Sequence, residues 1–242
     1  MIGTGTIVNT AAIVAGGLLG GFFKNGIPEK YKEIIIQGVG LSVMIIGISG
    51  ALQGIFVVGP DGAISRCCIM TMIFSLLIGG VIGELFNIEG RLEQAGLWLQ
   101  GRFRGGGSVA EGFVVATLLF CVGAMSIVGS IEDGLTGNAS TLYAKSILDC
   151  VLAAVLSSTM GYGVLFSAVS VFLYQGAFTL LAGVVKPWLT DAVISQVSVV
   201  GSVLILGIGI NMLGIKKIKT GNLVPATFIP FVYYLILKLI EK

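Results

Sequence analysis

A lysine and an aspartate inside an apolar segment are the residues of this chain most suited to chemistry. Lys145 and Asp149 lie four positions apart in ASTLYAKSILDCVLAAVLSST, so a helix places them on one face. A charged side chain at the centre of a membrane helix costs about 2.5–3.5 kcal/mol, so such residues normally face protein or water. The pair is either a structural clamp between helices, or Asp149 binds a cation or proton. In the second case Lys145 is the counter-charge or contacts a substrate anion.

A second polar stretch, GAMSIVGSIEDGLTGN, comes just before this segment and combines glycines with oxygen-bearing side chains. The glycines, which weaken a helix, are Gly123, Gly129, Gly134 and Gly137. The oxygen-bearing residues are Ser126, Ser130, Glu132 and Asp133. Gly-interrupted membrane helices present backbone carbonyls and helix ends to ions or small anions. The alternative is an ordinary helix end followed by a solvated acidic loop.

Two amide side chains complete the candidate site. Gln175 lies near the middle of an apolar run in LYQGAF, and Asn9 lies deep within the first apolar run. A buried amide hydrogen-bonds across helices or contacts a solute, and both uses stay open. The candidate substrate-binding or ion-binding residues are Asp149, Lys145, Ser130, Glu132, Asp133, Gln175 and Asn9.

Several functional classes are excluded by composition. The chain contains no histidine, which removes His-based zinc sites, imidazole proton shuttles and serine-type triads. We therefore expect no enzyme, no catalytic residue, no metal site and no cofactor, with carboxylate-based Na⁺ or H⁺ coupling as the accessible coupling chemistry. A net charge of +2 with dispersed basic residues predicts no nucleic-acid partner. The cysteines are expected to be buried, reduced packing residues: Cys67, Cys68, Cys121 and Cys150.

Membrane helices must position these residues. Of the 242 residues, 55% are hydrophobic and 11% are charged, whereas soluble chains have about 25% charged residues. A spanning helix needs about 20 apolar residues. The sequence therefore predicts an all-α polytopic integral membrane protein with eight spans, forming a single membrane domain over residues 1–242. The predicted spans are Thr4–Phe23, Ile34–Val58, Cys67–Phe86, Val109–Ile131, Leu142–Gly161, Val164–Val185, Ala192–Gly214 and Leu223–Ile240.

Two connections between spans carry additional information. Only Gly161, Tyr162 and Gly163 separate the fifth span from the sixth, so a tight hairpin and one long broken helix both stay open. The third loop is long enough to hold structure of its own. Apolar residues recur there at helical spacing, which predicts an interfacial amphipathic helix over residues 88–104 in a cytoplasmic loop.

The distribution of basic residues orients the spans. Short loops rich in Lys and Arg remain in the cytoplasm. The first, third and seventh loops carry nine Lys and Arg residues, against four on the other side. This asymmetry predicts that those three loops are cytoplasmic and that both termini lie outside.

Two pairs of segments within the chain have similar sequences. VGLSVMIIGISGALQGI from Val39 and VVGSVLILGIGINMLGI from Val199 share eight of seventeen residues. The second and seventh spans, which carry these two segments, run in opposite directions. The match therefore favours an inverted-topology repeat that relates spans 1–3 to spans 6–8. GGLLGGFF from Gly16 and GGVIGELF from Gly79 share four of eight. The alternative explanation is that the segments are alike only in composition. Whichever explanation holds, the small-xxx-small spacing in these segments predicts close helix packing.

The run GAMSIVGSIEDGLTGN, followed by YAKSILD and GVLFSAVSVFLYQG, resembles the YqgA/YdfK-like family of bacterial inner-membrane proteins, domain of unknown function 554. The resemblance covers essentially the whole chain, including its GTIVN opening. It implies a multi-pass protein of the bacterial inner (plasma) membrane and carries no assigned site residue. Three stretches coincide with family signature positions: Gly129–Leu135, Lys145–Asp149 and Tyr174–Gly176.

The leading functional hypothesis is a transporter or channel for a small solute or ion, with a polar site around spans 4–6. Its expected partners are the lipid bilayer, the small solute or ion, and further copies of the chain in a homo-oligomer. The alternative is a membrane scaffold or a partner subunit of a larger membrane complex.

Overall fold

The computed structural model describes residues 1–23, 28–58, 62–102 and 109–240, which are helical apart from one two-stranded hairpin. The α-helices are α1 Thr4–Phe23, α2 Glu29–Ile55, α3 Ile69–Phe86, α4 Ile88–Arg102, α5 Val109–Cys121, α6 Ala124–Thr136, α7 Ser140–Met160, α8 Gly163–Leu180, α9 Ala182–Val185, α10 Asp191–Met212 and α11 Ile229–Ile240. The 3-10 helices are Lys186–Trp188 and Thr220–Phe228, and the strands are β1 Phe56–Val58 and β2 Ile64–Arg66.

The helices have the lengths and apolar composition of membrane spans. Seven of the described segments are long and apolar enough to cross a bilayer, and the bent pair α5 and α6 is an eighth candidate. The predicted all-α fold class is confirmed, with seven or eight candidate spans.

The chain divides into two compact units. The first comprises Met1–Val39, Gly90–Cys121 and Met125–Val185. The second comprises Gly40–Glu89, Val122–Ala124 and Lys186–Lys242. The single membrane domain over 1–242 stays a prediction.

In the first unit, α1 packs along α7 over most of its length. Gly5 lies against Leu142 near the start of α7, and Gly20 lies against Ala154 in its second half. The positions rise together along both helices, so α1 and α7 are parallel. Glycine is required at this contact, because a Cβ on Gly20 would overlap the carbonyl oxygen of Ala154. The close helix packing expected from the Gly16 and Gly20 spacing is present.

Helix α8 turns back beside α1. Thr6 hydrogen-bonds Thr179 near the end of α8, whereas Gly17 lies against Leu165 near its start, so these two helices are antiparallel. Because α7 is parallel to α1, the α7–α8 connection is a hairpin. Gly161, with φ of +86°, makes the turn that a side chain would strain. Of the two alternatives for the fifth and sixth spans, the tight hairpin is the one observed.

Helices α5 and α6 form one bent segment with an angle of 59° between its halves. Val109 begins α5 against Gly163 at the start of α8, and Gly134 of α6 lies against Thr179 near the end of α8. The two halves therefore follow α8 in the same direction along its whole length. This arrangement favours one broken span over a re-entrant loop. Gly123, with φ of +136°, lies at the break.

The second unit is built around α10. A hydrophobic cluster combines α10 with the Thr220–Phe228 helix and the connection after α5: Val122, Val200, Leu204 and Ala226. Gly79 and Gly83 of α3 lie so close to the Thr220–Phe228 helix that a Cβ on either would overlap its backbone. Helix α2 packs antiparallel on α10, with Gly40 beside Leu213 and Gly54 beside Val199.

A β-hairpin interrupts the predicted second span. We expected a helix to Val58, but α2 ends at Ile55, and Phe56–Val58 pairs with Ile64–Arg66 in antiparallel register. Phe56, Val57 and Val58 on one side and Ile64 on the other are aromatic or β-branched residues, which favour strands. The apolar run therefore continues beyond the helix.

The expectation of buried, reduced cysteines is wrong for Cys67 and Cys68. These two are joined by a disulfide, and Cys67 is exposed. Cys68 has φ of +69° and precedes α3, so both cysteines lie outside the packed helix. The sequence did not indicate this boundary, because the apolar run continues across it. Cys121 and Cys150 are free thiols and are half-buried.

A helix occupies the third loop. Helix α4 ends at Arg102, and residues 103 and 104 of the predicted amphipathic helix lie outside the described residues. Its position at the membrane surface stays a prediction.

Candidate functional site

The buried Lys145–Asp149 pair lies in the first half of α7. The Lys145 ammonium donates to both carboxylate oxygens of Asp149, with Nζ 2.8 Å from Oδ1 and 2.6 Å from Oδ2. The two residues are 7% and 4% exposed. Helical spacing alone brings them onto one face, as the sequence predicted. The structure therefore contains a compact, neutral ion pair inside a candidate membrane span.

Helix α1 supplies the next polar group. Asn9 is fully buried and donates from Nδ2 to Oδ2 of Asp149 at 3.0 Å. This short side chain reaches α7 because Gly16 brings the two backbones together. A Cβ on Gly16 would overlap the carbonyl oxygen of Cys150. The glycine spacing of the first span thus serves the polar site as well as helix packing.

Gln175 extends the network to the broken span. Its Oε1 accepts from Nδ2 of Asn9 at 3.3 Å, and its Nε2 donates to Oγ of Ser126 at 3.0 Å. Gln175 is fully buried. An amide donates and accepts at once, so this residue connects α1 with α6 through α8.

The break between α5 and α6 lies next to this network. Ser126, in the first turn of α6, donates to the carbonyl oxygen of Phe120 at 3.1 Å and so bridges the two halves. Ser130 donates to the backbone oxygen of Ser126 at 2.6 Å. The Nζ of Lys145 lies 6.0 Å from the centroid of the Phe120 ring, at the limit of a cation–π contact. The polar network, the ion pair and the two residues that flank the break, Phe120 and Ser126, therefore share one region of the first unit.

Asn9 has one buried atom that no neighbour satisfies. Its Oδ1 has no hydrogen-bond partner, and among the described residues Ser75 Oγ is the other buried side-chain atom in this condition. A buried acceptor without a donor costs about 1–3 kcal/mol. The oxygen thus remains available for a cation or a donor beside Asp149.

Two acidic candidates have structural partners away from the pair. Asp133 is fully buried and accepts from the backbone N–H groups of Gly3 and Gly5, at 3.2 and 2.9 Å. It thereby caps the start of α1. Glu132 accepts from Nδ2 of Asn138 at 2.7 Å and from Oγ1 of Thr141 at 2.9 Å. The contacts of both carboxylates tie α6 to neighbouring segments.

The contacts therefore divide the seven predicted residues into those that belong to the Asp149 network and those that do not. Lys145, Asp149, Asn9 and Gln175 form one hydrogen-bonded network, which Ser130 approaches through Ser126. Asp133 and Glu132 lie outside it. The buried Thr6–Thr179 hydrogen bond was not predicted, because single threonines in an apolar run give no depth signal.

The second unit has a polar cluster of its own. Lys219 and Glu84 form an ion pair of 2.5 Å in which both side chains are more than half exposed. Hydrogen bonds to the Glu84 carboxylate raise the pKa of Lys219 above its usual value. Asn222 donates to Glu84 and accepts from the backbone N–H of Glu89, so the cluster ties the end of α3 to the Thr220–Phe228 helix. Exposed pairs of this kind contribute little to stability.

Within the part of the chain that the structure describes, no group of three or more Cys, Asp or Glu side chains could hold a metal ion. The oxygen atoms of the Asp149 network come from one carboxylate, two amides and a hydroxyl. Such a set suits a proton or a monovalent cation better than a transition metal.

Comparison with known proteins identifies the family. A family described as a protein of unknown function, DUF554, matches residues 4–235. The uncharacterized membrane protein YdfK of Bacillus subtilis (strain 168) is 38% identical over 226 residues, which cover 93% of each chain. The uncharacterized protein YqgA of Escherichia coli (strain K12) is 28% identical over 229 residues, 92% of each chain. No solved structure matches significantly. The chain is therefore a membrane-embedded helical protein of the DUF554 family.

Proposed function

We propose that this protein is a transporter or channel for a small solute or ion across the bacterial inner membrane. The observation that carries the proposal is the buried Lys145–Asp149 pair beside the break between α5 and α6. Charged groups at membrane depth are costly and usually mark pathways. Discontinuous helices near the bilayer midplane are a common way to form solute sites.

Contacts along α8 support a position for the break near the middle of the span. Thr117 of α5 hydrogen-bonds Ser170, and Ser126 of α6 hydrogen-bonds Gln175. The break lies between these two contacts, in the central part of α8. Backbone groups released by a break at this depth need partners, and a polar solute is one such partner.

Flux through reconstituted protein tests the proposal. Liposomes containing the wild-type chain are expected to move at least one solute from a panel of protons, alkali cations and small anions. Asp149→Asn should reduce that flux at least about tenfold, because it removes the only carboxylate of the network. Glu84→Gln, which changes the exposed carboxylate of the second unit, is the matched control and should retain flux. Unchanged flux in Asp149→Asn with unchanged thermal stability would contradict the proposal.

The second candidate is a scaffold or partner subunit of a larger membrane complex. It is favoured by the mutual hydrogen bonding of Lys145, Asp149 and Asn9, which is what a structural clamp requires. A partner that copurifies at fixed stoichiometry, without solute flux in liposomes, would support this candidate.

Light scattering of the detergent-solubilised chain tests the proposed homo-oligomer.

A further inference from the structure

The ion pair of α7 holds its positive charge on a flexible side chain, and this suggests what Asp149 binds. Lys145 places its ammonium against both oxygens of the carboxylate. We propose that Lys145 is a tethered substitute for a monovalent alkali cation, which takes the place of the ammonium on Asp149 when the site is loaded. This inference rests on the proposed function and names its substrate class.

The charges at this site favour replacement of the Lys145 ammonium by a cation over binding of an ion beside the intact pair. A cation added beside the intact pair would meet the ammonium of Lys145, and an anion would meet the carboxylate of Asp149, both at low dielectric. When an alkali cation takes the place of the ammonium on Asp149, the carboxylate again has one positive charge beside it. Among the described residues, Cys121 of α5 interacts electrostatically with both Lys145 and Asp149, and Tyr174 of α8 interacts with Cys121.

The unpaired oxygen of Asn9 is the independent observation that points to a cation. Asn9 is fully buried, its Nδ2 bonds Asp149, and its Oδ1 has no donor. An alkali cation that contacts this oxygen as well as Asp149 would satisfy it. Hard cations prefer such oxygen ligands. A single carboxylate also matches one positive charge rather than two.

Binding measurements on the purified full-length chain test the inference. The probes are Li⁺, Na⁺ and K⁺ chlorides against choline chloride at constant ionic strength, with thermal unfolding as the readout. At least one alkali cation is expected to raise the unfolding midpoint of the wild type.

Three variants test the role of the positive charge at position 145. Lys145→Gln removes the competing ammonium, so the cation should bind at least about tenfold more tightly. Lys145→Arg keeps the positive charge on a planar group that binds a carboxylate through two hydrogen bonds and is harder to displace, so cation binding should weaken at least about tenfold. Lys219→Gln changes the exposed lysine–carboxylate pair and should leave binding unchanged. If Lys145→Gln does not fold, the cation affinities of the wild type and of Lys145→Arg decide the question.

The outcomes distinguish this inference from the proposed function. Alkali cations that stabilise neither the wild type nor Lys145→Gln would overturn the inference. Flux that needs Asp149 but does not respond to Li⁺, Na⁺ or K⁺ would overturn it while the proposed function stands. Cation binding with this pattern, but without flux of any solute in liposomes, would support the site and overturn the transport proposal.

Discussion

The Lys145–Asp149 pair is stable because each charge compensates the other at a position where both side chains are nearly fully buried. Removing a charge from water costs several kcal/mol, and the Coulomb attraction inside the protein repays that cost only while both partners are present. The additional hydrogen bond from Asn9 to Asp149 lowers the cost further. The energetic role of either residue is therefore a property of the pair.

A double-mutant cycle measures this dependence. Lys145→Met should destabilise the chain by about 3–5 kcal/mol, because it leaves the Asp149 carboxylate buried and uncompensated. Combining it with Asp149→Leu should recover most of that loss, since no charge then remains buried. Reversible unfolding in mixed micelles gives the three free energies. Single-variant effects that simply add would show that the two charges are solvated independently.

The sequence predicted this pair and the depth of its neighbours, but not the contacts between them. Residues 145 and 149 meet through helix geometry, which is local and can be read from spacing. Asn9 and Gln175 are separated by 166 positions, and their hydrogen bond depends on the packing of α1 on α8. Asp133 has the same chemistry as Asp149 but caps α1, and composition alone could not separate the two roles.

Helix α1 reaches α7 through glycines, so the element that carries Asn9 is positioned by residues without side chains. Gly16 and Gly20 lie on the face of α1 that meets the carbonyl oxygens of Cys150 and Ala154. In a bilayer, where the hydrophobic effect does not drive helices together, such close van der Waals packing is the main attraction.

Gly20→Ala should therefore destabilise the chain by about 1–3 kcal/mol, as expected when a methyl group is forced into a packed contact. It should also reduce any flux that depends on Asn9, since α1 must move away from α7. Gly176→Ala in α8 is the matched control: a Cβ there meets nothing within 4 Å. The control should be neutral or more stable by up to about 1 kcal/mol. Equal thermal midpoints for the two variants would refute this account of the contact.

The break between α5 and α6 depends on a hydroxyl that serves both halves. Ser126→Ala leaves Nε2 of Gln175 and the carbonyl of Phe120 without this partner, so we expect a loss of about 1–3 kcal/mol. Ser146→Ala is the control, because the Ser146 hydroxyl donates to the Leu142 carbonyl of its own helix, a bond that adds little. Thermal midpoints of the two variants check this, and a larger loss for Ser146→Ala would contradict it.

The spans were predictable because a helix that crosses a bilayer must be long and apolar, and this property survives in composition. The boundaries were less predictable where an apolar run outlasts its helix. Phe56–Val58 forms a strand and Cys68 precedes α3, although hydropathy continues through both. The glycines of this segment indicated an interrupted helix near Gly123. The 59° bend between α5 and α6 could not be predicted, because it depends on how the two helices pack on their neighbours.

The two units use the same packing device. The Gly16 and Gly20 pair meets the backbone of α7, and the aligned Gly79 and Gly83 pair meets the backbone of the Thr220–Phe228 helix. Matched glycines thus have matched roles, each within its own unit. This agreement explains the shorter sequence match by packing. An inverted repeat of spans 1–3 and 6–8 stays a prediction.

The number of crossings decides whether the chain ends on the side where it began. One broken span through α5 and α6 gives eight crossings, so both ends lie on the same side, whereas a re-entrant loop gives seven and puts the ends on opposite sides. The passage of α5 and α6 along the full length of α8 favours eight. With nine basic residues on one side against four on the other, we expect both ends outside and the Gly161–Gly163 turn in the cytoplasm. Phosphatase and fluorescent-protein fusions at both ends and at this turn in a bacterial host measure the sidedness. A fluorescent carboxyl-terminal fusion together with an external amino terminus would establish the re-entrant arrangement and remove the broken span from the proposed pathway.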